Sequence, residues 1–369
     1  MSLYKSIIRP MLFAMDAEKV HELGIDALQF GLSTKIAKKI ASECFNTEAF
    51  GHIERFGLTF KNPLGVAAGF DKNGVVVDQL AALGFGFVEV GTVTFEPQKG
   101  NDRPRLFRLP DDNALINRLG FNNDGVAKVV ERLKKIDAQC VLGLNIGKNK
   151  DVPIDEATEN YLKSFEMAYE VADYIAVNIS SPNTPDLREM QRAGNLEELL
   201  GALQKRNRLK LNADNGITKK PLLVKIAPDL SDEEIEQITD ICMRYEVAGI
   251  IATNTTVKRQ GLETSKAALG NIGDGGLSGK PLKSMSDRVI SKIFRSSNGK
   301  LPVIGVGGIF TAQDAFEKIA AGACLLQAYT GFIYGGPSFA RDLNRGLAAL
   351  LKDKGFEDLD AAVGSGCRP

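Results

Sequence analysis

Five small polar side chains, Asn178, Ser180, Ser181, Asn183 and Thr184, crowd the stretch 174–188, which reads YIAVNISSPNTPDLR. They follow a β-branched, apolar run at 174–179, short enough to be a buried strand of a parallel sheet. Chemistry in such sheets sits at the C-terminal strand ends. Hydroxyls and carboxamides there can hold a polar ligand in a fixed orientation, with Pro182 and Pro185 stiffening the loop. Ser, Asn and Pro are also ordinary turn residues, so the stretch alone reads equally well as a strand-end turn.

Other apolar runs end in comparable chemistry. The run at 64–70 leads into AAGFDK with Gly69, Asp71 and Lys72; the next ends in GTVT with Thr92; the third carries Asn145. Lys225 lies inside a fifth run, Thr253, Asn254 and Thr255 close a sixth, and GVGGI and QAYTG close the last two. Lysine and asparagine inside apolar strands are rarely buried without partners, so the set points to a shared site more strongly than any member does. Either lysine could instead form a Schiff base, as in an aldolase.

The elements that must position these groups are eight short β-rich runs, at 64–70, 87–93, 141–146, 174–179, 222–226, 249–253, 302–306 and 324–329. Helical periodicity fills most of the intervals, at 75–83, 125–136, 155–171, 196–205, 232–245, 282–294 and 312–320, with a last helix at 341–351. Ser231 with Glu234 makes a capping-box pattern ahead of 232–245. Eight strands alternating with helices predict an α/β fold, a (β/α)8 TIM barrel. Two connections, 95–123 and 255–281, are too long for simple turns and read as functional loops. Residues 361–369 read as a frayed tail.

Ahead of the barrel, residues 1–45 read as a two-helix extension, with Asp16 as the N-cap between the helices. The domain division is therefore 1–45 and 46–369. The extension could cap the barrel or lie on a membrane surface.

Composition narrows the classes. Of 369 residues 44% are hydrophobic and 25% charged, the balance of an ordinary globular protein, and 46 basic residues equal 46 acidic ones, so no broad field for nucleic acid is expected. Five scattered cysteines without C-x-x-C spacing suggest neither zinc nor a disulfide framework, and fit a reducing cytosol. Two histidines, His21 and His52, are too few for a multi-histidine metal centre in the main body; no metal is expected. No apolar run is long enough to span a bilayer.

Gly305, Gly307 and Gly308 after the seventh run, and Tyr329, Thr330 and Gly331 after the eighth, stand where barrels hold a phosphate. Neither G-x-G-x-x-G after a strand nor G-x-x-x-x-G-K-[ST] is present, which disfavours Rossmann-type NAD and P-loop ATP binding.

Taken together, eleven ordered stretches resemble the FMN-dependent dihydroorotate dehydrogenases, within them the quinone-using class. They are GLTFKNPLGVAAGFDKNG (57–74), GTVT (91–94), GNDRPRLFRL (100–109), INRLGFNN (116–123), LGLNIGKNK (142–150), NISSPNTPDLR (178–188), VKIAPDLS (224–231), ATNTT (252–256), GGLSGKPL (275–282), PVIGVGGI (302–309) and AAGACLLQAYTGFIYGGP (320–337). The resemblance implies an oxidoreductase that converts dihydroorotate to orotate in pyrimidine biosynthesis, with FMN as redox cofactor and ubiquinone or menaquinone as acceptor.

By the same resemblance Ser181 matches the catalytic base, where the related soluble class has cysteine. Lys72, Asn117, Arg118, Leu119, Gly120, Phe121, Asn178, Asn183, Asn254 and Thr255 match the substrate site. Ala68, Gly69, Phe70, Asp71, Lys72, Thr92, Asn145, Asn178, Lys225, Thr253, Gly279, Gly308, Tyr329 and Thr330 match the flavin site. His21 and Arg108 match positions near the quinone head group, and the extension matches one that lines a tunnel and touches the membrane. That implies peripheral attachment on the cytoplasmic side, with a monomer compatible with the reading.

Overall fold

The computed structural model describes residues 3–47, 49–213 and 219–367. Eight parallel strands close a barrel: β1 (Leu64–Val66), β2 (Phe87–Val93), β3 (Val141–Ile146), β4 (Tyr174–Asn178), β5 (Leu222–Ile226), β6 (Gly249–Ala252), β7 (Val303–Val306) and β8 (Leu325–Ala328). Each pairs with its neighbour in sequence, and β8 pairs with β1 to shut the ring. The strands read as continuous apolar runs because both of their faces are covered: every residue of β2, β3, β4 and β5 is buried. Runs 87–93, 141–146 and 222–226 are strands over the same residues as the sequence predicts; the other five are shorter at one or both ends.

The surrounding helices bury one stripe each. In the helix Asp232–Arg244, Ile235, Ile238, Ile241 and Cys242 face the core. Its start is fixed as the sequence predicts: the Ser231 hydroxyl accepts the Glu234 N–H at 3.2 Å, and the Glu234 carboxylate accepts the Ser231 N–H at 2.7 Å. Ahead of β1, a hairpin of Ile53–Arg55 and Leu58–Phe60 brings Phe60 edge-on to Phe87, ring centroids 5.3 Å apart, and covers the N-terminal end of the barrel.

The two long connections fold together. Leu106–Leu109 and Ala114–Asn117 from the first pair antiparallel with each other, and Gly276–Gly279 from the second adds to the edge of Ala114–Asn117. Leu109, Ala114, Ile116 and Leu277 give this small sheet its own apolar core. Neither strand pairing was legible from periodicity, because it depends on tertiary contact.

The extension carries one helix more than the two the sequence suggests. A helical segment over 4–13 is followed by Ala17–Gly31, capped by the Asp16 carboxylate accepting the N–H groups of Glu18 and Lys19 at 3.1 and 2.9 Å. A third helix, Lys35–Phe45, begins where the Thr34 hydroxyl accepts the Ala37 N–H. It buries only Ala41 and leaves Ile36 and Ile40 exposed. The extension is stitched to the barrel by Tyr4 donating to the Ile333 carbonyl (2.6 Å), Gln29 to the Val75 carbonyl (3.2 Å), and a Lys38–Asp78 ion pair (2.8 Å). The tail is not frayed through Cys367: Leu359 and Ala362 are buried, and the Gly364 N–H bonds the Ile319 carbonyl. Arg368 and Pro369 lie outside the described residues.

Candidate active site

The C-terminal strand tips surround a hollow of about 1050 Å³, its mouth included. Ala68, Gly69 and Lys72 reach it from the turn after β1, Thr92 from β2, Asn178, Ser181 and Asn183 from β4 and its loop, Lys225 from β5, and Thr253, Asn254 and Thr255 from β6. Gly308, Tyr329 and Thr330 line its far end, and the small sheet closes it from above with Asn117, Leu119, Gly120, Phe121 and Gly279. A single space thus collects groups from seven strand tips and two distant loops.

At the mouth, Ser181 is buried and its hydroxyl accepts the Asn183 N–H at 3.2 Å. Asn183 Nδ2 donates to Asn117 Oδ1 at 3.2 Å, which ties the β4 loop to the small sheet. Asn254 Nδ2 donates to Ser180 Oγ at 3.0 Å and to Asn178 Oδ1 at 3.3 Å, and Asn254 Oδ1 accepts the Thr255 N–H. On the same loop the Thr184 hydroxyl is buried without a hydrogen-bond partner. Such a group is costly unless something completes it.

Lys72 is presented by a turn that Asp71 organises: the Asp71 carboxylate accepts the N–H groups of Asn73, Val75 and Val76 at 3.3, 2.9 and 2.8 Å. Burial pulls the Lys72 ammonium down to about 8; Glu18 and Asp71 push it up, and Arg105 adds to the fall. Burial likewise lowers Lys225, against which Glu89 pulls it back up, the Nζ to Oε1 distance being 3.8 Å.

At the far end the tips of β7 and β8 approach so closely that a side chain at Gly331 would strike the Ile309 carbonyl at 1.9 Å. Gly308 has φ +73°, a conformation L side chains rarely adopt. A side chain at Gly308 would strike Lys283, so both lining positions accept only glycine.

Six residues of the set do not line the hollow: Phe70, Asp71, Arg118 and Asn145 of the substrate and flavin groups, and His21 and Arg108. Phe70 is buried between His21, Tyr329 and Phe332; Asp71 supports the Lys72 turn; Asn145 lies under Thr92; Arg118 stacks on Phe107, 4.7 Å from its ring, and donates to the Asp274 carbonyl. His21 packs edge-on to Phe70 with centroids 5.2 Å apart, and burial together with the Lys72 charge pushes its imidazole down to about 3. Arg108 lies 4.9 Å from the Phe13 ring and donates to the carbonyls of Leu12 and Met15. His21 and Arg108 therefore both bind the extension to the barrel. Sequence reasoning missed Glu89 and Gln327, fully buried polar residues in the middle of β2 and β8. A charged residue inside the apolar run FVEVGTV was the available signal.

Among the described residues no helix is long and apolar enough to cross a membrane, and no cluster of three or more His, Cys, Asp or Glu could hold a metal ion. The family model described as dihydroorotate dehydrogenase matches residues 52–351. A protein from Christiangramia forsetii named dihydroorotate dehydrogenase (quinone) is 49% identical over 93% of this chain and 98% of its own. A namesake from Gloeobacter violaceus is 47% identical over 99% of both. Among solved structures, that of Eimeria tenella DHODH in complex with ferulenol superposes with a TM-score of 0.83 at 36% identity, covering 96% of each chain. Fold, site and relatives converge: the chain belongs to the dihydroorotate dehydrogenase family of oxidoreductases, and the Christiangramia forsetii and Gloeobacter violaceus relatives, matched over nearly their full length, carry the quinone designation.

Proposed function

We propose that this chain oxidises dihydroorotate to orotate, with FMN in the hollow and a membrane quinone as final acceptor. The observation that carries the reading is the gathering of Ser181, Lys72 and four carboxamide or hydroxyl side chains, Asn117, Asn183, Asn254 and Thr255, around the same space as Lys225, Thr253 and Thr330.

The residues fit a flavin. Thr253 Oγ1 and Gln327 Oε1 are buried without partners in residues that line the hollow, so the space calls for a polar planar ligand. Lys225, Asn178 and Thr253 would hold its ring, and Gly308, Tyr329 and Thr330 its phosphate. Bound there, FMN supplies a two-electron acceptor that a quinone can reoxidise.

The remaining work falls to side chains. Asn117, Asn183, Asn254 and Thr255 offer the donors and acceptors that match an imide and a carboxylate, and Lys72 adds a positive charge for the carboxylate. Ser181 Oγ takes the substrate proton. A serine hydroxyl is a weak base, so it must pass its own proton on; the Thr184 hydroxyl, buried without a partner on the same loop, is the candidate acceptor.

The extension, residues 1–45, serves the acceptor side. Among the described residues, nine of the twelve exposed large hydrophobics lie at positions 3–40, which suits attachment of this part to a membrane surface on its cytoplasmic side. His21 and Arg108, where extension meets barrel, would face the quinone head group.

Purified protein supplied with FMN, dihydroorotate and a short-chain quinone tests the reading. Orotate is expected to form in step with quinone loss; quinone consumption without orotate would reject the assignment.

A further inference from the structure

We propose that Glu89 is a positioning residue, the fixed end of a one-way hydrogen-bond chain that sets which face of each carboxamide the bound ring and substrate meet. The inference rests on the flavin reading above.

Glu89 is completely buried in the middle of β2. Oε1 accepts from Asn145 Nδ2 at 2.8 Å and faces Lys225 Nζ at 3.8 Å; Oε2 accepts from the Tyr174 hydroxyl at 2.9 Å and from Gln327 Nε2 at 2.7 Å. Donors from β3, β4 and β8 and an ammonium from β5 thus converge on one carboxylate. A charge this deep is tolerated only when its acceptor sites are satisfied, and here Asn145, Tyr174 and Gln327 donate while Lys225 supplies the opposite charge.

The consequence runs upward. A carboxamide whose nitrogen is committed must point its oxygen the other way. With Nδ2 on Glu89, Asn145 turns Oδ1 to the Thr92 hydroxyl, which donates to it at 2.5 Å. Thr92 Oγ1, its proton spent, accepts Asn178 Nδ2 at 2.9 Å. Asn178 Oδ1 then accepts from Asn254 Nδ2 at 3.3 Å and from Ser180. Glu89, Asn145, Thr92, Asn178 and Asn254 form one directed chain from the barrel interior to the substrate-facing rim. On the other limb Gln327, with Nε2 on Glu89, leaves Oε1 buried and unpartnered in a residue that lines the hollow. It is an acceptor in place for a ring N–H.

Glu89→Gln keeps the shape but replaces one acceptor by a donor, so one carboxamide must reverse or lose its bond. It also removes the negative charge beside Lys225. In the holoprotein, anaerobic redox titration is expected to show the flavin midpoint potential moving positive. The orotate dissociation constant, read from the flavin spectrum, should rise about tenfold, the weight of one buried hydrogen bond. Glu89→Asp keeps the charge, so its potential should stay nearer to that of the parent. Should E89Q fail to accumulate folded, Thr92→Val cuts the same chain one link higher and is expected to weaken orotate about tenfold. An E89Q holoprotein with the parent's potential and orotate affinity, or unchanged orotate binding by T92V, overturns the proposal. A parent protein that takes up no FMN overturns the flavin reading instead.

Discussion

Glu18, in the second helix of the extension, and Arg105, in the loop leading to the small sheet, form a buried ion pair at 2.7 Å. The same guanidinium donates to the carbonyls of Lys99 and Asn101, both at 2.7 Å, and Asn101 Nδ2 donates onward to the Arg118 and Asn183 carbonyls at 2.9 and 3.4 Å. The extension is thereby linked through two side chains, Arg105 and Asn101, to the loops that carry Asn117 and Ser181.

Breaking that pair should be costly. Glu18→Ala leaves the Arg105 charge buried with only carbonyl partners, and is expected to lower unfolding stability by about 3 kcal/mol, the low end for a broken buried pair. Burial raises the Glu18 carboxyl, but the Arg105 hydrogen bond and charge more than offset this and hold it below its usual value. Its contribution is therefore present above the ordinary carboxylate range and fades as pH falls through the lowered value. Urea melts at pH 7 and pH 3 should show the parent and variant converging in acid; a constant gap would contradict the pair's role.

Ser181→Ala should slow flavin reduction by dihydroorotate by roughly 10²–10⁴-fold, the usual weight of a positioned acid or base. Orotate binding and FMN content should be nearly unchanged, since the Asn117, Asn183 and Lys72 contacts remain. Stopped-flow reduction at the parent's rate would remove Ser181 as the base.

Lys72 makes binding sensitive to alkali. With its ammonium lowered to about 8 by burial, the free protein loses that charge as pH rises past 8, and the orotate dissociation constant should climb about tenfold for each further unit. Stability moves the other way: from about 8 up to the unperturbed lysine value the unfolded chain holds more protons, so unfolding becomes harder as pH rises. A flat orotate-binding profile to pH 10 would place the substrate away from Lys72.

His21 is held neutral, its imidazole pushed down to about 3 by burial and by Lys72. Quinone turnover should accordingly show no histidine titration between pH 5 and 8. His21→Ala should depress turnover with quinone while sparing a small water-soluble acceptor; equal loss with both would detach His21 from the quinone path. Replacing Phe30, Ile36 and Ile40, which are 87%, 73% and 57% exposed, by glutamate should abolish sedimentation with lipid vesicles and leave turnover with the soluble acceptor intact.

The barrel was legible because burial on both faces leaves short runs that are apolar at all but one position, as in VLGLNI of β3 and LLVKI of β5. The rim chemistry was legible because Lys225 and Asn145 stand out against such runs. The small sheet was not: Ala114–Asn117 and Gly276–Gly279 are far apart in sequence, and their pairing depends on tertiary contact. Nor was the split between residues that face the hollow and those that support it. Phe70 and Asp71 sit between lining residues Gly69 and Lys72, and only the turn geometry decides which side chain points in.

Anaerobic mixing of the FMN-loaded protein with dihydroorotate is the most direct check on a shared hollow for substrate and flavin. The account predicts that the visible flavin absorbance bleaches in a single turnover, with one orotate formed per flavin before any quinone is added. A flavin that stays oxidised while dihydroorotate demonstrably binds would contradict it.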